Sequence, residues 1–226
     1  LKKMADAFTN SNIESIYLPK SVEDIHCECF YLTPNLNKIE VSAENKFFKL
    51  INDDFVATES VKNSGVFDAI FIVRRNIESI KIPANIKVIN KNAFHKCKKL
   101  KNVVFEPNSS LELIQSYALC TCSLENLVLP PSLKEVGIYS LSGNFKLKSI
   151  EFLSNSILLK NKCLDKCGVV SVVFPNADQI TFEGEAMKGI PDNAKILVKK
   201  NAKLSGDHLD DIRSKIYYIE DEIIRK

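Results

Sequence analysis

The sequence predicts a solenoid of stacked strand-and-turn coils, on three observations. A short phrase recurs in which a small residue precedes a large apolar one and a cysteine follows three positions later, as in "AFHKC" from Ala93 and "ALCTC" from Ala118. A strand phrase with apolar residues at alternate positions follows each copy, and its starts at residues 77, 100, 124, 147 and 169 lie 23, 24, 23 and 22 apart. The chain of 226 residues is 45% hydrophobic, carries a net charge of only +3 and has no low-complexity tract. That composition suits a folded chain able to bury a core without cross-links.

Aligned on the large residue, the register holds nearly from end to end. The large slot contains Phe8, Phe30, Phe94, Leu119, Leu141, Leu164 and Met187, each preceded by a small residue: Ala7, Cys29, Ala93, Ala118, Ser140, Cys163 and Ala186. Three positions after the large slot come Ser11, Thr33, Cys97, Cys122, Asn144, Cys167 and Ile190. Five before it stand Ile25, Ile89, Ile114, Val136, Leu159 and Phe182. The strand phrases between them are "IESIYLP", "LNKIEV", "IESIKIP", "LKNVVFEP", "LENLVLP", "LKSIEF" and "VVSVVFP". A period in the twenties made of one short strand and a turn marks a leucine-rich-repeat solenoid, whose units bury their apolar faces only by stacking on one another.

One interval is irregular: from Leu36 to Ile77 is 41 residues, and two apolar runs there flank the turn cluster "KNSG". We read a β-hairpin inserted in one coil, over about residues 46–75. The solenoid is expected over residues 1–200, in about seven to eight units winding as a right-handed superhelix. A curved parallel sheet would line one side and irregular or short-helical turns the convex side. In the tail "SGDHLDDIRSKIYYIEDEIIRK", Leu209, Ile212 and Ile216 have helical spacing after a start signal, so residues 201–226 are expected to form a C-terminal helical cap. Ala7 and Phe8 already occupy repeat slots, which leads us to expect further repeats or another domain before residue 1.

The phrase L-x-x-I-x-[IL]-P followed by A-F-x-x-C resembles the unit of the BspA-like leucine-rich-repeat family, and "IESIKIPANIKVINKNAFHKC" is a close match. The insert "VSAENKFFKLINDDFVATES" resembles that family's recurring hairpin unit, with Asp54 and Phe55 where the family has Gly and Val. "PDNAKILVKKNAKL" resembles its closing unit. Departures are Asn144 for cysteine, Met187 for phenylalanine, and Ser156 and Gln179 at apolar positions. The resemblance implies a cell-surface or secreted protein engaged in adhesion or host binding; a cytoplasmic location stays open.

The seven cysteines, at 27, 29, 97, 120, 122, 163 and 167, are an odd number, which suits a disulfide framework badly. Cys97, Cys122 and Cys167 share the inward slot and Cys29 and Cys163 the small slot, so packed thiols are the leading reading, with inter-coil disulfides or a metal site as alternatives. His95 stands two residues from Cys97 and is expected to point outward to solvent. No zinc-hydrolase, nucleophile-elbow or phosphate-loop motif is complete, because Ile190 and Pro191 follow Gly189 where a phosphate loop requires Lys and Ser or Thr. No catalytic residue, metal ligand or cofactor is assigned. Lysines and acids are interspersed, unlike a nucleic-acid-binding face, and no apolar run approaches a membrane span.

Strand side chains alternate, so the residue between the last two apolar positions of each phrase faces outward. These residues form a ladder of Tyr17, Glu40, Lys81, Val104, Val128, Glu151 and Val173, an apolar centre with a charged rim suited to a protein partner. A second ladder of Glu14, Asn37, Glu78, Lys101, Glu125, Lys148 and Val170 alternates in sign and can pair along the stack. We expect a monomeric, non-enzymatic protein-interaction module that uses the exposed sheet. The alternative is an intracellular scaffold or regulatory repeat domain of a larger protein.

Overall fold

The computed structural model describes residues 2–5 and 7–219. In chain order its strands are β1 (Lys3–Met4), β2 (Ser15–Leu18), β3 (Asp24–Ile25), β4 (Lys38–Val41), β5 (Lys49–Ile51), β6 (Phe55–Glu59), β7 (Phe67–Val73), β8 (Ser79–Ile82), β9 (Val88–Ile89) and β10 (Asn102–Phe105). There follow β11 (Leu113–Ile114), β12 (Asn126–Leu129), β13 (Glu135–Val136), β14 (Ser149–Phe152), β15 (Ser156–Leu159), β16 (Ser171–Phe174), β17 (Gln179–Phe182), β18 (Lys195–Lys199) and β19 (Lys203–Gly206). A helix α1 (Leu209–Ile212), a 3-10 turn at Arg213–Lys215 and β20 (Ile216–Ile219) complete the described residues.

The coils stack as a parallel solenoid of about nine turns. The coils give strands to a front sheet and to a back sheet, the back strands being of two residues at β9, β11 and β13 and of four at β15, β17 and β19. The side expected to be irregular therefore carries paired strands as well as turns. Front strands run β12-β14-β16-β18-β20 without interruption, whereas β2-β4 and β8-β10 form separate pairs. The back sheet has nine strands, β5 to β19.

The expected column of large residues is present. Phe94, Leu119 and Leu141 are fully buried. The N–H of each donates to the small residue of the next coil: Phe94 to Ala118 (2.8 Å), Leu119 to Ser140 (2.7 Å) and Leu141 to Cys163 (3.0 Å). These turns need left-handed backbone two residues before and two after the large slot, as at Tyr117, Tyr139 and Lys162 and at Lys96, Thr121 and Lys166. Such a conformation costs a non-glycine residue roughly 1–2 kcal/mol. It persists because the inter-coil hydrogen bonds, and the stacking of Tyr117 on Tyr139 (5.3 Å), are made only in that shape.

The position three after the large slot does more than fill space. Cys122 Sγ donates to Phe94 O (3.2 Å) and Cys167 Sγ to Leu141 O (3.1 Å). Asn144, a departure in the sequence, does the same with its amide, donating to Leu119 O (2.9 Å) and Leu141 O (2.6 Å). In these three coils the slot holds a small donor, a thiol or a carboxamide, whereas Ile190 in the last copy has none. All seven cysteines are free thiols, and no group of three or more His, Cys, Asp or Glu suited to a metal occurs among the described residues. Burial raises the Cys97, Cys122, Cys163 and Cys167 thiols above the usual thiol range, which suppresses the thiolate and its reactivity.

The insert is a three-stranded antiparallel meander, β5-β6-β7, and β7 pairs in parallel with β9 to join the back sheet. The hairpin at "KNSG" turns through Asn63 and Gly65, both with positive φ. A second hairpin precedes it: Asn52 and Asp53 both have positive φ and the Asp54 N–H closes the turn on Ile51 O (3.0 Å). That is the primed turn which suits strand twist, and Asn and Asp tolerate it. β6 and β7 are walls between two cores. Val56, Phe71 and Ile72 pack with the N-terminal coils, and Phe55, Ala57, Ile70 and Val73 with the rest.

At the other end the two sheets run past residue 200. β19 pairs with β17 and β20 with β18, with the single-turn α1 between them. Ile216, assigned from its spacing to a helix, lies on β20 opposite Ile196. Its neighbours "IYYI" alternate as a strand does, and pairing to an open sheet edge wins over a weak helical pattern. Residues 220–226 of the expected cap lie outside the described residues.

Candidate interaction surface

His95 is the clearest correction at the level of side chains. It is 5% exposed and stacked on Tyr31 (4.7 Å between centroids), where a solvated histidine was expected. The two residues occupy the same slot of different coils, and the meander loops out between them so that those coils meet. Burial, and then the charges of Arg75 and Lys96, lower the imidazole to a pKa of about 4. A buried neutral ring with no nucleophile oriented against it is packing. His208, exposed at the N-cap of the short helix α1, has its Nδ1 3.0 Å from Asp211 within that helix.

The front sheet turns one face outward along the stack, and the outward ladder lies on it. The register pairs Tyr17 with Glu40, Lys81 with Val104, and Val128 with Glu151 and then Val173. Tyr17, Glu40, Lys81, Val104 and Val128 are exposed; Glu151 and Val173 are half-buried. The ladder continues through Leu197 to Tyr217, which the sequence reading missed because it placed the tail on a helix. Lys195 Nζ sits 5.5 Å from the centre of the Tyr217 ring. In the second ladder Lys101 pairs with Glu78 (3.4 Å), while Glu125 and Lys148 make no ion pair among the described residues.

The expected single stripe is interrupted twice. The meander parts β4 from β8, and β10 is not hydrogen-bonded to β12. β10 and β12 are joined where they begin, through Ser123 N–H to Leu100 O (3.0 Å) and Glu125 N–H to Lys101 O (3.2 Å), and they separate towards their ends. Two local features accompany the gap. After three other front strands the next residue donates its N–H to the previous strand's last carbonyl: Ser42 to Leu18, Glu106 to Ile82 and Leu153 to Leu129. After β12 that residue is Pro130, which has no N–H to give. Pro175 follows β16 in the same way and β16 still pairs with β14, so the proline removes one contact without by itself opening the sheet. Also, the turn after β10, "EPNSS", is held to the opposite side. Lys81 pairs with Glu106 (3.0 Å), Ala84 N–H donates to the Glu106 carboxylate (3.2 Å), and Ser110 N–H donates to Ala84 O (2.8 Å). Lys81 and then the Ala84 N–H hold the Glu106 carboxyl below its usual range.

Between the two strands lies a cleft of about 840 Å³. Val104 and Val128 line it, 55% and 50% exposed, with Phe105, Pro107, Pro130, Pro131 and Leu153. Asn102 and Asn126 stand at the strand starts and Ser109 and Ser132 at the ends. An apolar floor with a polar rim can take an aliphatic or ring side chain and hydrogen-bond the backbone that bears it. It presents no convergent acid, base or nucleophile.

Comparison with known proteins agrees with this architecture. A model of the BspA-type leucine-rich-repeat region matches residues 4–63 and 66–188, in six copies. No curated protein sequence matches the chain. Among solved structures, a leucine-rich repeat protein from Eubacterium ventriosum superposes with a TM-score of 0.73 at 22% identity, over 87% of this chain and 51% of that one. A leucine-rich cell surface protein from Faecalibacterium prausnitzii gives 0.70 at 18% identity, over 95% and 54%. The pneumococcal vaccine antigen PcpA gives 0.60 at 22%, over 96% and 58%. The chain spans about half the length of these structures, and likenesses at such identities establish the fold.

Proposed function

The chain belongs to the BspA-type leucine-rich-repeat family, and from that premise we propose that it is a non-enzymatic protein-interaction module which binds a protein partner through its exposed front sheet. The observation that carries this reading is the cleft between β10 and β12. The scaffold departs there from regular strand pairing, and two exposed valines and two exposed prolines, Pro107 and Pro131, gather in one place with Pro130 buried beneath them. Exposed valines alone are good strand formers; a gap in the sheet that they line gives them a second use. Tyr17, Glu40, Lys81, Glu151 and Val173 would form the surrounding contacts. Deeply buried thiols and a buried neutral His95 support a binding role over a catalytic one.

The partner is expected outside the cell. Two of the neighbours are described as a cell surface protein and a vaccine antigen, and no helix among the described residues is long and apolar enough to cross a membrane. An intracellular scaffold role would use the same sheet, so the compartment of the partner distinguishes the two. The test is the double variant Val104→Asp/Val128→Asp. A partner captured by the wild-type chain is identified, purified and titrated against both forms, with melting curves checking the fold. The variant should bind at least about ten-fold more weakly, the scale of losing a central apolar anchor. Unchanged affinity in a folded variant would remove the cleft from the interface.

A further inference from the structure

Apart from the sheet face, the edge where the chain enters the front strands carries an unusual charge distribution. Elsewhere on the surface most lysines meet an acid of the same or a neighbouring coil, as Lys134 does Glu112, Lys160 Glu135 and Lys162 Glu185. The exceptions among the described residues, Lys46, Lys49, Lys62, Lys195, Lys200 and Lys203, are not gathered with this group. On this edge Lys96, Lys98, Lys99, Lys146, Lys148 and Lys166 make no ion pair among the described residues. They are scattered through 71 positions of the sequence among acids, and the stacking gathers them. Lys96, Thr121, Gly143 and Lys166 follow one another coil over coil, through N–H bonds from Lys96 to Cys120 (3.0 Å), Thr121 to Ser142 (2.8 Å) and Gly143 to Asp165 (2.8 Å). Lys98 and Phe145 belong to a parallel row: Ser123 Oγ donates to Lys98 O (2.7 Å), and Gly168 lies against Phe145 O, where a Cβ would come within 2.1 Å. Glu125 and Asp165 border the patch and neither pairs with its lysines.

Within this patch Phe145 is 69% exposed, more than any other large hydrophobic side chain described. Five of the lysines fall in two groups, Lys96, Lys98 and Lys99 on one coil and Lys146 and Lys148 two coils on, roughly 10 Å apart at the spacing of stacked strands, and Lys166 stands on the coil beyond. The coil between them offers the hydroxyls of Thr121 and Ser123.

We propose that this edge binds an acidic polysaccharide, with carboxylates or sulfates on the two lysine groups, a sugar ring against Phe145 and hydroxyl contacts between. An extended acidic peptide repeats its same-side groups about every 7 Å, closer than the two lysine groups stand. It also has less use for the hydroxylated coil between them.

The test is titration of the purified chain with polygalacturonate and with heparin at low salt. The comparison ligands are poly-L-glutamate and phosphatidylserine vesicles, and melting curves check each variant. At least one polysaccharide should bind, with affinity that falls as salt screens the lysines. Lys146→Glu/Lys148→Glu should weaken it at least about ten-fold. Phe145→Ala should weaken it about five-fold without changing the salt dependence. Lys200→Glu/Lys203→Glu, an equal charge change on exposed lysines elsewhere, should leave it unaltered. The proposal is overturned if neither polysaccharide binds, if the two charge reversals weaken binding equally, if Phe145→Ala has no effect, or if the peptide or the vesicles bind more tightly. The Val104→Asp/Val128→Asp variant should retain polysaccharide binding, so this site and the cleft stand or fall separately.

Discussion

The two sides of the inserted meander solve the same stacking problem differently. Beyond it, from β8 onward, one core extends to the last coil: inward columns are filled, turn hydrogen bonds repeat, and the last five front strands pair in sequence. Before it, a smaller core of Leu18, Val22, Leu36 and their neighbours closes against Phe48, Val56 and Phe71. The coil of Phe30 meets that of Phe94 across a seam where the regular bond is replaced. Ala93 O, which should receive an N–H from the large slot of the coil before, is taken by Val73 N–H (3.3 Å) and the Arg75 guanidinium (2.8 Å). Arg75 also donates to Phe30 O (3.4 Å) and is 4% exposed. A solenoid can therefore absorb a large insertion where a long donor side chain substitutes for the broken backbone contact. Arg75 Nε, Asn92 Oδ1 and His95 Nδ1 are buried without partners at the seam, as Ser140 Oγ, Asn144 Oδ1 and Ser154 Oγ are on the continuous side.

The largest expected effect tests the continuous side. Phe152 stacks on Phe174 (4.8 Å between centroids) and is fully buried, so Phe152→Ala should cost about 3–5 kcal/mol. In chemical denaturation the loss should appear as one cooperative transition for the coils beyond the meander. A local opening confined to one coil would mean that this core is less continuous than its packing suggests.

The seam should respond differently. Arg75→Ala removes a buried charge, which offsets part of the damage, and leaves carbonyls of Phe30 and Ala93 without that donor. A net loss of about 2–3 kcal/mol is expected. Hydrogen exchange should show the loss mainly in residues before β8. Equal deprotection throughout would erase the distinction between the two sides.

Acid should find the seam first. The folded state holds His95 neutral down to about pH 4, whereas the unfolded imidazole titrates near 6.5. Unfolding therefore takes up a proton between those values, and stability falls as pH drops from about 6.5 to 4, by roughly 3 kcal/mol in total. His95→Phe should flatten that part of the profile, measured by denaturant midpoints from pH 7 to 4. An unchanged slope would place the proton uptake elsewhere.

The smallest effect concerns the donor slot. Cys122→Ala removes the S–H bond to Phe94 O and should cost about 1 kcal/mol, against a larger loss for Asn144→Leu, which strands two carbonyls. Iodoacetamide should label half-buried Cys27 in the native chain and reach Cys97, Cys122, Cys163 and Cys167 only on unfolding. Fast native labelling of those four would contradict their burial.

Much of this was legible from spacing, because a solenoid repeats its environment: the same slot meets the same neighbours in each coil. Spacing alone places Phe94, Leu119 and Leu141 in one column, and Tyr17, Val104 and Val128 on the outer face. Misreadings occurred where a residue's neighbour comes from outside its own period. His95 is buried by Tyr31, 64 positions earlier. Ile216 pairs with β18, and Pro130 matters through the strand before it. Glu106 parts β10 from β12 through a lysine on β8.

The sequence by itself determined the period, the inward columns and the identity of the outward ladder, since these depend on local alternation and repeated burial. Only the tertiary structure decided where the front sheet opens, how the core divides at the meander and which lysines crowd together on one edge. Those features depend on which coil lies against which, and on hydrogen bonds between residues that share no local pattern.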